Sequence, residues 1–270
     1  MATQIIAILC EGPHDVAFIT RILKHNGYSS NDKSKIKDFP APINGLLKTE
    51  VSKTNVEDLN LQEVRQVLLP SNSLVIGNNY FLLYSMGGDS KKAARQQLLS
   101  DFYSFIPKEN EISTMPDDTT LSLLYFFDSD DKGIAVRVAE LNEEILEILE
   151  VSPFTNHKEK YNHSNLNLGS FIFSGADNDK GKLEDILMPL MSLDNDQIFA
   201  EASTYLDNNF DNGRVHKYDK DKSLIGVVGQ LQHSGASNAV CVNKSDYLNE
   251  AKIKANSKCK EIFDYINSFI

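Results

Sequence analysis

The sequence predicts an α/β protein in which a mostly parallel sheet carries helices on both faces. Three observations lead there. Largely apolar runs of strand length occupy residues 4–10, 121–127 and, more briefly, 170–174. Each run ends in a turn that bears acids, and each turn is followed by apolar residues at helical spacing. Strands covered on both faces read as continuous apolar runs rather than alternating ones, which is the pattern seen here.

The elements follow in order. Residues 4–10 are the first strand, closed by Glu11 and Gly12; Val16, Ile19, Ile22 and Leu23 then keep helical time until Gly27 stops them. Residues 28–73 are polar, carry Pro40, Pro42 and Pro70, show one helical patch at 61–69, and read as an inserted or covering segment. Residues 74–76 and 80–84, joined by Gly77-Asn78-Asn79, form a hairpin that runs into Gly87-Gly88 and then a helix over 90–105. The run 121–127 ends in Asp128-Ser129-Asp130-Asp131-Lys132-Gly133, before a helix marked by Ile134, Val138, Leu141, Ile145 and Ile148. The run 170–174 ends in Gly175-Ala176-Asp177-Asn178-Asp179, with Leu183, Ile186, Leu187 and Leu190 helical after it. Residues 192–212 read as helix and loop, 224–228 and 239–242 as strands. A last amphipathic helix carries Ile253, Ile262, Phe263, Ile266 and Phe269. The expected organisation is a core over 1–190, interrupted at 28–73, with a C-terminal α/β extension over 191–270 packed on the same domain.

A chain of 270 residues, 41% hydrophobic and 24% charged, has ordinary globular composition. Its apolar runs fall short of the roughly 18 to 20 residues that a membrane span needs. No basic leader or small-residue cleavage site precedes Glu11, so a soluble, cytoplasmic protein is expected. Cys10, Cys241 and Cys259 are scattered, without C-x-x-C, and are expected buried and reduced. A net charge of -11 argues against nonspecific coating of nucleic acid. It leaves room for a nuclease, whose clustered acids are neutralised by bound cations.

In a parallel sheet the strand C-terminal ends share one edge, where functional groups collect. The acids of the three turns should therefore converge. Glu11, Asp128 and Asp130 supply hard oxygen ligands suited to Mg2+ or Mn2+. Asp128 and Asp130 can approach one ion only if the backbone has left the strand, since strict pleating holds such residues about 7 Å apart. Gly12 is read as relieving crowding beside Glu11. Asp15 is read equally as a cap of the first helix and as an acid at the metal. An EF-hand fails on both acidic turns: from Asp128 the twelfth position is Ala139, and from Asp177 it is Met188. The six histidines lack zinc-ligand spacing, although His14 sits beside the first acidic turn. Lys91, Lys92 and Arg95, after Gly87-Gly88, are candidates for holding nucleic-acid phosphates.

The E-G-x-x-D of Glu11, Gly12 and Asp15 after one apolar strand, with the D-x-D of Asp128 and Asp130 after a later one, resembles the Toprim domain. That domain is shared by topoisomerases, DnaG-type primases, small ribonucleases and OLD-family nucleases. The resemblance covers about residues 4–190, and the Gly87-Gly88 turn is also similar. It implies a Rossmann-like core, Glu11 as acid/base, and the D-x-D acids binding Mg2+ or Mn2+. By the same resemblance to OLD-type nucleases, Asp177, Asp179 and Glu184 are assigned to a second metal. Lys222 is the lysine near the reaction centre, with Lys217 and Lys220 as rivals. No zinc cluster, topoisomerase gate region or P-loop accompanies the motifs. The likeness is thus to small stand-alone Toprim proteins of the OLD-related kind, some serving in phage defence, which implies a nucleic-acid substrate and allows a separately encoded ATPase partner. A catalytically silent adaptor that binds metal or nucleotide and recruits a partner through 28–73 is the alternative expectation.

Overall fold

A computed structural model describes residues 2–52, 68–107, 115–175, 179–210 and 219–270. Its seven-stranded sheet has the order β2-β3-β4-β1-β5-β7-β6. The strands are β1 (Thr3–Cys10), β2 (Ser29–Ser30), β3 (Asn72–Ile76), β4 (Asn79–Ser85), β5 (Thr119–Asp128), β6 (Lys160–His163) and β7 (Leu166–Phe173). β4, β1, β5 and β7 run parallel, and the hairpin partners β3 and β6 are antiparallel at the two sides. The four parallel strands therefore deliver their C-terminal ends to one edge.

Helices cover both faces, and β1 shows why its sequence does not alternate. Ile5, Ala7 and Leu9 pack into one core with α2 (Ile43–Ser52), α3 (Lys92–Ser104) and α4 (Ile134–Leu149). Ile6, Ile8 and Cys10 pack into the other, with α1 (Pro13–His25) and the C-terminal helices. β5 divides the same way, Leu123, Tyr125 and Phe127 against Leu124 and Phe126. This is the α/β architecture expected. All three cysteines are free and buried. Among the described residues no helix is long and apolar enough to cross a membrane.

The C-terminal segment departs from expectation. Residues 224–228 and 239–242 are helical, within α7 (Lys220–Gln232) and α8 (Asn238–Lys244), and no strand follows β7 among the described residues. Short apolar runs do not separate strand from buried helix by pattern alone. Here the glycines decide. At Gly229 a Cβ would overlap the Cys241 side chain, and at Gly226 it would come 3.0 Å from Asn238 Oδ1. Two glycines three residues apart thus let α7 and α8 pack closely. The remaining helices are α5 (Glu184–Ser192), α6 (Asp196–Asn209), α9 (Glu250–Ala255) and α10 (Ser257–Asn267). The last two divide the single helix expected there, because the Asn256 side chain caps α10 by accepting from the Cys259 N–H at 3.0 Å. The helix expected at 61–69 lies largely outside the described residues, while α2, β2 and β6, the hairpin partner of the expected strand β7, are additions to the expected order.

The extension is fastened to the sheet at Gly169 in β7. A Cβ there would lie 2.5 Å from Tyr265 Oη, 2.6 Å from Phe269 Cζ and 2.8 Å from Leu124 Cδ2. Gly169→Ala is expected to destabilise the protein by about 1–3 kcal/mol through overpacking, read as a lower urea midpoint with unchanged slope. An unchanged midpoint would show that α10 is not seated on this strand.

Candidate functional site at the sheet edge

The sheet edge brings together acids that are far apart in the chain. Glu11 follows β1 directly, and its backbone is held from both sides: its N–H donates to Phe126 O at 3.2 Å, and Gly87 N–H donates to its carbonyl at 2.8 Å. Its Oε2 accepts from the backbone N–H of Asp128 at 2.9 Å, so the first and second acidic turns meet. Asp128 is buried, and its Oδ1 accepts from Leu183 N–H at 2.8 Å. Asp15 is buried as well; its Oδ2 accepts from Gly12 N–H at 2.8 Å, whereas Oδ1 has no hydrogen-bond partner. Asp15 thus caps α1 and also leaves a bare buried oxygen.

Glu184, at the start of α5, is only 1% exposed. Its Oε1 lies 3.2 Å from His14 Nδ1 and 3.7 Å from Lys222 Nζ. His14 is separated from it by 170 residues, and no sequence spacing announces the pair. The sequence marks His14 only by its place beside the first acidic turn.

Electrostatics mark the edge as crowded with negative charge. Burial, reinforced by Glu11 and Glu184, pushes Asp15 well above the usual carboxylate range. Burial, then Asp15, Glu11 and Glu184, pushes Asp128 up in the same sense. Burial also works against ionised Glu184, but the His14 hydrogen bond and Lys222 outweigh it and hold its carboxyl below the ordinary range. Burial disfavours the Lys222 ammonium, yet Glu184, Asp219 and Asp128 raise it, and it stays charged.

These shifts have a consequence for stability. Above the ordinary aspartate range the folded chain retains protons on Asp15 and Asp128 that the unfolded chain has released. Stability therefore falls as pH rises through that window. The expected result is a melting temperature that declines on the alkaline side in the presence of chelator and is recovered by added Mg2+ or Mn2+. A flat profile with no effect of either cation would show that the two carboxyls are neither shielded from water nor crowded by like charge as described.

The other candidates separate. Asp130 is half-exposed and its Oδ2 pairs with Arg137 Nη2 at 2.9 Å, so its carboxylate is engaged by a protein cation. Asp179 lies against Gly133 at the start of α4, where a Cβ would come 2.8 Å from its Oδ2. Asp177 and Lys217 lie outside the described residues. Lys220 pairs with Asp207 at 2.7 Å, so of the described lysines weighed for this role only Lys222 reaches the cluster. Arg95 is a correction: it is buried, makes a 2.6 Å ion pair with Glu144, and donates to Met86 O and Gly88 O at 2.7 and 3.0 Å. It braces the Gly87-Gly88 turn instead of facing a phosphate, because its fork is filled by protein acceptors. Lys92 is paired with Glu147 at 2.7 Å, and Lys91 is exposed beside the start of α3.

The glycine that makes room for Glu11 is Gly87 and not Gly12. A Cβ on Gly87 would overlap the Glu11 carbonyl oxygen, Cα and Cγ, whereas one on Gly12 would meet only Asp15 Oδ2 at 3.3 Å. The signal is present in Gly87-Gly88, but its partner follows the neighbouring strand, far away in the chain.

A hard divalent cation suits this donor set in chemistry: clustered carboxylates, a bare buried oxygen and mutual repulsion. As arranged, no three His, Cys, Asp or Glu side chains among the described residues close around a common point.

No protein-family model and no curated protein matches the chain. Its fold is similar to the crystal structure of hypothetical protein PH0156 from Pyrococcus horikoshii OT3, with a TM-score of 0.50 at 13% identity over 99% of this chain and 95% of that one. That likeness extends to the C-terminal helices and concerns the fold alone.

Proposed function

We propose that this chain is a Toprim-type, divalent-metal-dependent nuclease that hydrolyses phosphodiester bonds of DNA or RNA in the cytoplasm. The observation that carries the reading is the burial of Asp15 and Asp128 beside Glu11 and Glu184 at one sheet edge, with both aspartates pushed above their ordinary range. Burying these carboxyls, and crowding them with like charge, is a cost to the fold unless a cation relieves it.

Glu11, Asp15 and Asp128 would hold Mg2+ or Mn2+, which when bound supplies an activated water and offsets charge on the departing oxygen. Glu11 would also accept a proton from the attacking water. Lys222, kept charged by Glu184 and Asp219, would face the negative charge that grows on the phosphate. Glu184 would position Lys222 and His14 more than it would ligate. Asp130 would join the metal acids only after leaving Arg137, and Asp177 and Asp179 would serve a second ion. A separately encoded ATPase partner and a place in phage defence rest on the Toprim resemblance.

The alternative is a silent adaptor that binds metal or nucleotide through the same edge. It is favoured by the net charge of -11, which works against holding a polyanionic substrate. Incubation with Mg2+ or Mn2+ and single-stranded DNA, duplex DNA and a tRNA pool separates the two. Metal-dependent cleavage is expected; intact substrate in every arm would reject the nuclease.

A further inference from the structure

The second acid of the D-x-D turn is engaged by the chain itself. Asp130 has a left-handed backbone, φ 46°, which is uncommon for a residue with a side chain. Reciprocal bonds with Gly181 pin it there: Asp130 N–H donates to Gly181 O at 2.7 Å, and Gly181 N–H donates to Asp130 O at 3.0 Å. Arg137, one helical turn into α4, then surrounds the turn. Its Nη2 donates to Asp130 Oδ2 at 2.9 Å, its Nε to the Asp128 carbonyl at 2.8 Å, and its Nη1 to Glu140 Oε2 at 3.1 Å. The Arg137 side chain is 16% exposed, against 48% for Asp130, so the guanidinium is the more firmly seated partner. Arg137, Asp130, Glu11 and Lys132 line one crevice of about 220 Å³.

We propose that Arg137 is a positioning residue that competes with the divalent cation for Asp130 and thereby sets the affinity of the metal site. The inference rests on the metal-dependent reading above and adds to it a determinant that neither the E-G-x-x-D nor the D-x-D pattern contains. The guanidinium is a permanent charge in a planar fork, which suits it to hold a carboxylate without a metal. A cation that takes Asp130 must displace it. Lys132 provides the comparison: it lines the same crevice and carries the same charge, but its ammonium pairs with Glu140 and not with Asp130.

The test is direct Mn2+ binding to the full chain, by titration calorimetry and by the electron paramagnetic resonance signal of free Mn2+. Arg137→Gln is expected to bind about 10-fold more tightly than wild type, a size set by removing one charge at short range. Lys132→Gln is expected to stay near wild type. In an Asp130→Asn background the Arg137 substitution is expected to change nothing. Equal tightening in Arg137→Gln and Lys132→Gln would overturn the inference, because a general field would then account for both. Unchanged or weaker binding in Arg137→Gln would overturn it too, while leaving the metal site standing. Absence of Mn2+ binding by wild type and every variant would overturn the metal reading itself.

Discussion

Glu11→Gln is expected to lower metal-dependent cleavage by about 10²–10⁴-fold, the range lost when a proton-transfer group is removed, and Asp128→Asn to abolish it by removing a charged ligand of the ion. Both substitutions keep the local geometry. A glutamine in place of Glu11 would retain an oxygen for the Asp128 N–H, and an asparagine in place of Asp128 would retain one for the Leu183 N–H. What each removes is charge. Asp128→Asn is also expected to raise the stability of the metal-free protein, because a buried carboxyl that ionises against Asp15, Glu11 and Glu184 is gone. At mildly alkaline pH the gain should be at least about 1.4 kcal/mol, the free-energy equivalent of one pH unit. Opposite signs on activity and stability mark groups kept for function at the fold's expense. Initial rates on labelled single-stranded DNA, duplex DNA and tRNA give the first quantity, and urea unfolding with chelator gives the second. Unchanged cleavage by both variants, or a loss of stability in Asp128→Asn, would reject the assignment.

The parts of this site that are legible in the sequence are those written locally. Burial on both faces forces apolar runs at 4–10 and 121–127, and a parallel sheet then forces Glu11 and Asp128 to one edge, as the 2.9 Å contact between them shows. The illegible parts are pairings between segments. Glu184 meets His14 across 170 residues and Arg95 meets Glu144 across 49, and neither distance leaves a periodic trace. Arg95 misleads for that reason: a basic residue after a glycine turn suggests phosphate until its buried acid is known. The run Leu224 to Val228 imitates a strand because the Cys241 side chain that Gly229 accommodates belongs to a different helix. Arg137 stands in plain view, nine residues after Asp128, but its hold on Asp130 depends on the left-handed turn at Asp130.

Arg95→Ala is expected to be the most destabilising single change outside the hydrophobic core, at about 3–5 kcal/mol. The Arg95 and Glu144 side chains are 9% and 6% exposed, so truncating one leaves the other carrying an uncompensated charge out of water. The substitution also strips the Met86 and Gly88 carbonyls of their donor. Those carbonyls flank Gly87, whose N–H holds the Glu11 carbonyl. Loss of Arg95 should therefore reach the candidate site: a destabilised variant that still folds should show weaker metal-dependent cleavage, although Arg95 itself faces protein acceptors. Replacing both partners by apolar side chains, as in Arg95→Met with Glu144→Leu, should recover most of the stability, since a buried pair is worth little against well-packed hydrophobes. It should not restore the brace on the turn. Urea unfolding of the single and double variants measures the first effect, and cleavage rate normalised to folded protein measures the second. Full recovery of both in the double variant would show that Arg95 stabilises the fold without shaping the edge, and a loss below about 1 kcal/mol in Arg95→Ala would show that the pair is solvated like a surface ion pair.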